Sequence, residues 1–127
     1  MSRTHQEIFE RYVHAGPISR DPDAVAALFT PDGVFEAPLL PAGHALPRRL
    51  SGREEIRTGI GAFHHHPAFQ GAVDLARSRY VLHETADPDV FIVETDTAFV
   101  AAGEISLVQI FRIRDGEIAL MRDYFAA

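Results

Sequence analysis

The feature that most constrains the fold is a change of periodicity between the two halves of the chain. In the first half, apolar residues recur at helical spacing. In the second half, apolar and β-branched residues fill segments of roughly 72–84, 90–101, 104–114 and 117–125, separated by the turn signals ADPD, AAGE and RDG. Helices followed by consecutive strands with short turns predict an α+β fold in which helices pack on an antiparallel sheet.

The starts of the predicted helices carry capping signals. Thr4 and Glu7 form a T-x-x-E capping box, and Asp21 precedes a proline that suits the first helical position. A second capping box, Ser51 with Glu54, predicts the start of a third helix. We therefore expect three N-terminal helices to cover one side of the sheet.

A proline-rich, apolar loop at residues 38–47 (PLLPAGHALP) interrupts the helical half. It follows TPDG, which predicts a turn, and VFEA, which predicts a short strand. Such a loop either packs on the core as a plain connection or covers a binding site. In the third helix, Gly59 and Gly61 indicate a close backbone approach or a cavity wall.

The bulk composition excludes several classes of function. A length of 127 residues favours one domain, 1–127, and a net charge of −6 makes nucleic acid an unfavourable partner. The sequence has no cysteine and no apolar run of about 18 residues, so we expect no disulfide and no membrane association. The polar N-terminus does not resemble a signal peptide, and we expect a cytoplasmic protein.

The strand segment 104–114 is apolar on both faces. Ile105, Leu107 and Phe111 lie on one face, whereas Val108 and Ile110 lie on the other. An antiparallel sheet normally exposes one face to water, and the three helices can cover only one side. The sequence therefore predicts a homodimer that forms through the sheet.

The last segment places two charges, Arg122 and Asp123, among apolar residues, and their directions depend on the preceding turn. A two-residue turn at Asp115–Gly116 would pair Gln109 with Arg122, so that Asp123 points away from Gln109. A three-residue loop that also includes Arg114 would pair Gln109 with residue 121. Gln109 and Asp123 would then share a face, because a one-residue slip inverts a strand.

Five stretches of the chain resemble a known group of proteins. ERYV, DPDAVAALFTPDGVFEAP, LSGREEIRTGI, VQIFRIRDGEI and MRDYF are similar to SnoaL-like and ketosteroid-isomerase-like members of the nuclear transport factor 2-like superfamily. The resemblance spans nearly the whole chain. It implies a cone in which three helices wrap a curved antiparallel sheet around a deep apolar pocket. This fold hosts many activities, so it indicates architecture more strongly than reaction.

The resemblance also assigns site residues one by one. Tyr12 matches the tyrosine of ketosteroid isomerases that donates to the enolate oxygen. Ala37 occupies the place of their general base, and Gln109 that of their second oxyanion donor. Glu36 should face the opposite way from Ala37. The chain therefore lacks the usual isomerase base.

The final strand supplies another acid. SnoaL-type polyketide cyclases are similar in carrying an acid–base aspartate near the C-terminus, and PhzA/PhzB-type phenazine-biosynthesis proteins place a glutamate in a related context. Both similarities favour the three-residue loop, with Asp123 facing the cavity and Arg122 facing outward. A carboxylate in an apolar pocket has a raised pKa, which suits acid–base catalysis near neutral pH.

The sequence thus predicts a cofactor-independent enzyme of the isomerase, cyclase or lyase type, acting on a largely apolar carbonyl compound, with a possible place in natural-product biosynthesis. Asp123 would be the acid–base group, with Tyr12 and Gln109 as hydrogen-bond donors. The residues expected to line the substrate site are Met121, Phe125, Phe63, Leu107, Ala37, Leu40 and His64.

Other interpretations remain open at this stage. Asp123 could form a structural ion pair, and Tyr12 and Gln109 could be satisfied core residues. The chain could also be a non-catalytic ligand-binding or dimerisation domain of the same fold. Glu94 and Asp96 alternate on one face, typical of a solvated surface, but a paired-carboxylate epoxide hydrolase would need such acids.

The run His64-His65-His66 suggests no metal site. Consecutive helical residues point about 100° apart, so the three rings cannot converge on one ion. The run marks a helix end, and His64 or His66 could still reach the mouth of a pocket. No nucleotide-binding or hydrolase motif is present, so we expect neither a cofactor nor a metal.

Overall fold

The computed structural model describes residues 3–65, 71–101 and 103–125. Its helical segments are α1 (His5–Val13), a π-helical turn (His14–Ile18), α2 (Pro22–Ala27) and α3 (Arg53–His64). Its strands are β1 (Phe29–Glu36), β2 (Arg49–Ser51), β3 (Arg79–Glu84), β4 (Val90–Ala98), β5 (Glu104–Arg114) and β6 (Glu117–Tyr124). Within the described ranges, no helix has the length and apolar composition needed to cross a membrane.

The helix caps agree with the sequence at two of three places. In α1 the Glu7 amide donates to Thr4 Oγ1 at 3.1 Å, and in α2 the Ala24 amide donates to Asp21 Oδ1 at 3.1 Å. The predicted cap at Ser51 is wrong. Ser51 ends β2, and Gly52 caps α3 with a φ of 86°, a left-handed conformation that glycine adopts without strain.

The six strands form one sheet in the order β2-β1-β6-β5-β4-β3. The expectation of a wholly antiparallel sheet is wrong, because β1 and β6 run parallel. Parallel neighbours need a long connection, and here α3 and four strands lie between them in the chain. The short strand β2, which no sequence pattern indicated, pairs with the outer edge of β1.

Other strand predictions also differ in extent, and the segment expected at 90–101 ends at Ala98. The segment expected at 72–84 forms a strand only from Arg79, because Ser78 and the residues before it turn around Asp74. The TPDG stretch, expected to be a turn, lies inside β1. The register of β1 against β6 shifts between Phe29 and Val34. Strand β1 therefore continues through this irregularity instead of ending at a turn.

The β5–β6 hairpin has a two-residue turn, so the predicted three-residue loop is wrong. Asp115 and Gly116 have φ values of 53° and 77°, which is typical of a type I′ turn. The pairing then passes from Ile113↔Ile118 to Arg112↔Leu120, which leaves Ala119 as an extra residue. This β-bulge advances the register by one position and pairs Gln109 with Asp123.

We call the helix-covered side of the sheet the inner face and the opposite side the outer face. On the inner face, the Phe91 and Phe111 rings stack at 4.7 Å, and Phe9 of α1 packs against Phe111 and Tyr80. Aromatic packing of this kind buries large apolar areas and fixes ring geometry. Helix α1 is therefore held directly over the central strands.

The loop from 38 to 47 packs on the core through two leucines. Leu40 and Leu46 are buried, whereas Leu39 is 61% exposed. The Arg48 side chain closes the loop by donating from Nε to the Leu40 carbonyl at 2.5 Å. In α3, a Cβ on Gly59 would lie 2.6 Å from the Leu50 side chain, so this glycine permits the close approach that the sequence indicated.

Candidate active site

The centre of the candidate site is a pair of polar side chains on neighbouring strands. Asp123 of β6 and Gln109 of β5 occupy paired positions and are 7% and 5% exposed. Gln109 Nε2 donates to Asp123 Oδ2 at 3.4 Å, a long hydrogen bond. The bulge at Ala119 brings these two residues together on the inner face.

The second oxygen of Asp123 has no partner. Its Oδ1 atom is buried and makes no hydrogen bond among the described residues. Burial disfavours the charged carboxylate and raises the pKa of Asp123 to about 7, and the Gln109 hydrogen bond opposes this only in part. Asp123 can therefore gain or lose a proton near neutral pH.

Tyr12 approaches the pair from helix α1. Its side chain is buried, and its ring meets the Phe111 ring edge-on with 5.8 Å between centroids. Burial, and then the negative charge of Asp123, raise the pKa of the Tyr12 hydroxyl well above its usual range. The phenol therefore stays protonated and can only serve as a neutral hydrogen-bond donor or acceptor.

Ala37 lies next to the end of the paired region of β1 and β6, close to Asp123. It follows Glu36, which pairs with Arg122, so Ala37 adjoins Asp123 across the β1–β6 boundary. Ala37 is fully buried, and its amide donates to the Arg48 carbonyl at 2.8 Å. The acid of this chain therefore lies one strand away from the position at which ketosteroid isomerases carry their base.

The other predicted lining residues divide into two groups. Met121 and Leu40 are fully buried in the core, and Phe63 and Phe125 are partly buried against it. Leu107 is half-buried and lies two residues from Gln109 on the inner face. The inner face is thus closed around Asp123 and becomes more exposed towards Leu107.

The histidine run lies at the end of α3. His64 is half-buried, and burial together with the nearby Arg20 lowers its pKa. The His65 ring lies 2.8 Å from the Gly61 carbonyl, and His66 falls outside the described residues. Within the described ranges, no three histidine or acidic side chains are arranged to hold a metal ion.

The charges on the outer face are paired with one another. Arg122 Nε lies 3.3 Å from Glu36 Oε1, and Arg49 Nη1 lies 3.5 Å from Glu36 Oε2. The Arg122 guanidinium also lies 5.2 Å from the centre of the Tyr124 ring, within cation–π range. Arg122 and Asp123 are therefore neighbours in sequence with opposite directions and different surroundings.

Glu94 and Asp96 also lie on the outer face. Glu94 contacts His83 at 3.5 Å, and Asp96 contacts Arg79 at 3.0 Å. Hydrogen bonds from Ser106 and Arg79 lower the pKa of Asp96. These acids point away from Asp123, which is the only buried carboxylate in the part of the chain described.

One polar residue of the inner face was missed by sequence reasoning. Thr95 lies between Glu94 and Asp96 in β4, and its Oγ1 atom is buried without a hydrogen-bond partner among the described residues. The strict alternation Phe91, Val93, Thr95 was the available signal, because the first two are fully buried.

Two cavities of the described chain lie away from Asp123. One, of ≈ 450 Å³, is lined by α1 and α2 and includes Glu7 and His14. The other, of ≈ 310 Å³, is lined mainly by outer-face residues such as Val108, and Thr95 and Leu107 also contribute to its lining. Asp123 lines neither of them.

Comparison with known proteins identifies this architecture. The model of the SnoaL-like domain matches residues 9–121, most of the described fold. The chain is 34% identical over 103 residues to an uncharacterized PhzA/B-like protein from Pseudomonas aeruginosa. The aligned region covers 77% of this chain and 67% of that protein. The mixed six-stranded sheet and its helices are those of the nuclear transport factor 2-like fold. This chain belongs to the SnoaL-like family.

Two solved structures show the same fold. A candidate isomerase from Bacillus subtilis superimposes with a TM-score of 0.72 at 23% identity, covering 94% of this chain and 84% of that one. An epoxide hydrolase of the LEH-like type from M. tuberculosis superimposes with a TM-score of 0.58 at 24% identity, covering 94% and 80%. At these identities the likeness establishes the fold alone.

Proposed function

We propose that this chain is a cofactor-independent enzyme that performs isomerase- or cyclase-type acid–base chemistry on a largely apolar carbonyl compound. Asp123 is the acid–base group, and Tyr12 and Gln109 are neutral donors. The observation that carries the proposal is the unpartnered Oδ1 of Asp123 in an apolar interior. A buried, unsatisfied carboxyl costs stability, and active sites are where such groups concentrate.

The chemistry follows from the protonation states. Asp123, with a pKa of about 7, takes a proton from the carbon next to a carbonyl and returns it at another position. Tyr12 remains protonated and donates to the oxygen on which negative charge develops. The same arrangement serves aldol-type ring closure or a lyase step, because each begins with the same proton transfer.

A test needs a probe ketone and a matched pair of variants. We expect the protein to speed exchange of the α-protons of 2-tetralone for deuterium, followed by nuclear magnetic resonance. Asp123→Asn should lower this rate by about 100-fold or more, the usual contribution of a general base. Asp96→Asn, which changes an outer-face acid, should retain it. Equal rates in the Asp123→Asn variant and the wild type would remove Asp123 from the mechanism.

A second candidate is a non-catalytic ligand-binding domain, and the absence of the usual isomerase base favours it. Ala37 stands at the position of that base, and Asp123 lines neither of the two cavities described above. In that case an apolar ligand would bind the inner face and protect it from unfolding, yet no exchange of the probe would occur. The tetralone experiment therefore separates the two candidates directly.

A paired-carboxylate epoxide hydrolase is not supported by the geometry. Glu94 and Asp96 are paired with basic residues on the outer face. Asp123 has no second carboxylate beside it among the buried residues described. A water activated between two acids would need a second carboxylate beside Asp123.

We further propose that the chain forms a homodimer through the outer face. Val81 and Val108 are 54% and 38% exposed there, and Ile92, Ile110 and Leu120 are half-buried around them. Such a patch is typical of an interface. Val108→Glu should convert a dimer to a monomer in analytical ultracentrifugation, whereas Leu39→Glu, at a more exposed loop position, should not. A monomeric wild type at high concentration would contradict this.

A further inference from the structure

Thr95 carries a second buried polar atom on the inner face that the proposed chemistry does not use. Its Oγ1 has no hydrogen-bond partner within the described chain. By contrast, the hydroxyl of the buried Thr30 donates to Asp32 Oδ1 at 2.9 Å. An unsatisfied buried hydroxyl costs about 1–3 kcal/mol, so native proteins retain few of them.

The direction of the Thr95 side chain follows from its neighbours. Phe91 and Val93 of the same strand are fully buried, and the alternation of a β-strand puts Thr95 on their side. Thr95 pairs with Tyr80, and the Tyr80 ring packs on Phe9 of α1 with 4.6 Å between centroids. The hydroxyl therefore lies on the inner face, the same face as Asp123, beside a residue that contacts helix α1.

The register relates Thr95 to the Asp123 pair. Gln109 pairs with Asp123 on one side and with Val93 on the other. Thr95 is two residues beyond Val93, opposite the half-exposed Leu107. Thr95 and Asp123 lie two strands apart across the sheet and two residues apart along the strand direction. Their backbones are therefore about 12 Å apart. The two unsatisfied oxygens thus lie on one face of the sheet, two strands apart.

We propose that Thr95 is a second substrate anchor, whose hydroxyl binds a hydroxyl or carbonyl oxygen at the end of the substrate remote from Asp123. The inference rests on the proposed function, because it places the reacting end at Asp123. The substrate class is an elongated, apolar molecule about the size of two rings, with oxygens about 10 Å apart at its two ends. A ligand of this kind satisfies both buried groups at once.

Two phenols provide a test of the spacing. The hydroxyl of 4-phenylphenol can bind at Asp123, and 4,4′-dihydroxybiphenyl adds a second hydroxyl at the far end. We expect the diol to bind the wild type about three- to tenfold more tightly in calorimetric titrations, the gain from one hydrogen bond. Thr95→Val should abolish this advantage and leave the affinity for the monophenol unchanged. Thr95→Ser should restore it.

A control variant separates anchoring from packing. Thr97→Val changes the next inner-face position of β4 and should retain the advantage of the diol. If Thr95 were only structural, its replacement by valine would remove an unsatisfied hydroxyl and raise stability without changing the ratio of the two affinities. We expect Thr95→Val both to raise the melting temperature and to equalise the two phenols.

The outcomes distinguish the anchor from the enzyme. Equal binding of the two phenols by the wild type, or a diol advantage that survives Thr95→Val, overturns the anchor and leaves the tetralone result intact. Absence of binding by either phenol also overturns it. A diol advantage that depends on Thr95, combined with tetralone exchange that is unchanged in Asp123→Asn, supports the anchor and refutes the catalytic proposal.

Discussion

On the outer face of β6, Arg122 lies against Glu36 and the Tyr124 ring, whereas on the inner face Asp123 meets only the long hydrogen bond from Gln109. The outer charges are partly exposed and are compensated by one another. The inner charge is buried and compensated in part. Surface ion pairs contribute little and are easily replaced, while a buried, half-satisfied acid destabilises the fold. The contrast supports the proposed role of Asp123.

The largest expected effect comes from removing the bulge that separates the two faces. Deletion of Ala119 would pair Gln109 with the arginine at position 122 and turn every following side chain over. We expect loss of cooperative unfolding in denaturant titrations, because a guanidinium cannot enter this apolar core unpaired. Ala119→Gly keeps the residue count and should unfold cooperatively. A stable deletion variant would show that β6 tolerates both registers.

Truncation at adjacent positions of β5 compares the packing of the two faces. Phe111 is fully buried among aromatic rings, whereas Ile110 is half-buried on the outer face. Phe111→Ala should lower the free energy of unfolding by about 4 kcal/mol, and Ile110→Ala by about 1 kcal/mol. Urea unfolding at one protein concentration measures both. Similar losses would mean that the outer face is packed as tightly as the inner face, as in a permanent dimer interface.

The pH dependence of stability tests the buried acid. The pKa of Asp123 is raised from 3.8 to about 7, so between these values the folded state holds a proton that the unfolded state has lost. Stability is therefore full below pH 4 and falls as the pH rises through 7. Asp123→Asn should be more stable than the wild type at pH 8, by on the order of 4 kcal/mol, with little difference near pH 4.

The matched control for this pH effect is an outer-face acid. The pKa of Asp96 is lowered, so its carboxylate favours the folded state above its pKa, the opposite sign to Asp123. Asp96→Asn should gain no stability as the pH rises. Thermal unfolding from pH 4 to pH 8 follows both variants. A pH-independent effect of Asp123→Asn would mean that the inner acid is solvated.

Removal of an outer ion pair should have a small effect. Arg122→Met deletes the contact to Glu36 but preserves much of the side-chain volume. We expect a loss of about 1 kcal/mol or less, decreasing with added salt because the pair is partly exposed. Urea unfolding at low and high salt measures it. A larger, salt-insensitive loss would show that the pair is buried in the folded protein.

The smallest expected effect concerns the Gln109 hydrogen bond. This bond favours the charged form of Asp123 but is 3.4 Å long, so its contribution is modest. Gln109→Leu should raise the pKa of Asp123 by less than about one unit above its wild-type value. Carbon-13 resonances of the carboxyl group follow the titration. A large upward shift would show that Gln109 is the main support of the carboxylate.

Local signals predicted local structure well. The caps at Thr4 and Asp21 are formed as the sequence indicates, because each depends on residues three positions apart. The cap at Ser51 failed because that residue was taken into β2 by pairing with β1. The parallel pairing of β1 with β6 also joins residues far apart in the chain, which no local pattern records.

Asp123 lies on the same face as Gln109, as predicted, although the turn from which this was predicted is wrong. The three-residue loop was incorrect, yet it predicted Gln109 and Asp123 on one side. The two-residue turn alone would have placed them on opposite sides, and the bulge at Ala119 reversed this. Alanine carries no bulge signal, so the sequence could not reveal it. Thr95 was overlooked because a hydroxyl becomes informative only when its surroundings leave it without a partner.

By itself, the sequence determined the fold class, the caps of the first two helices and the candidate acid. These features depend on periodicity and on contacts between near neighbours. Only the tertiary structure decided the mixed sheet, the register of Asp123, the closed packing around it and the unsatisfied hydroxyl of Thr95. Each of these depends on which distant segments lie side by side, and burial and pKa follow from that arrangement.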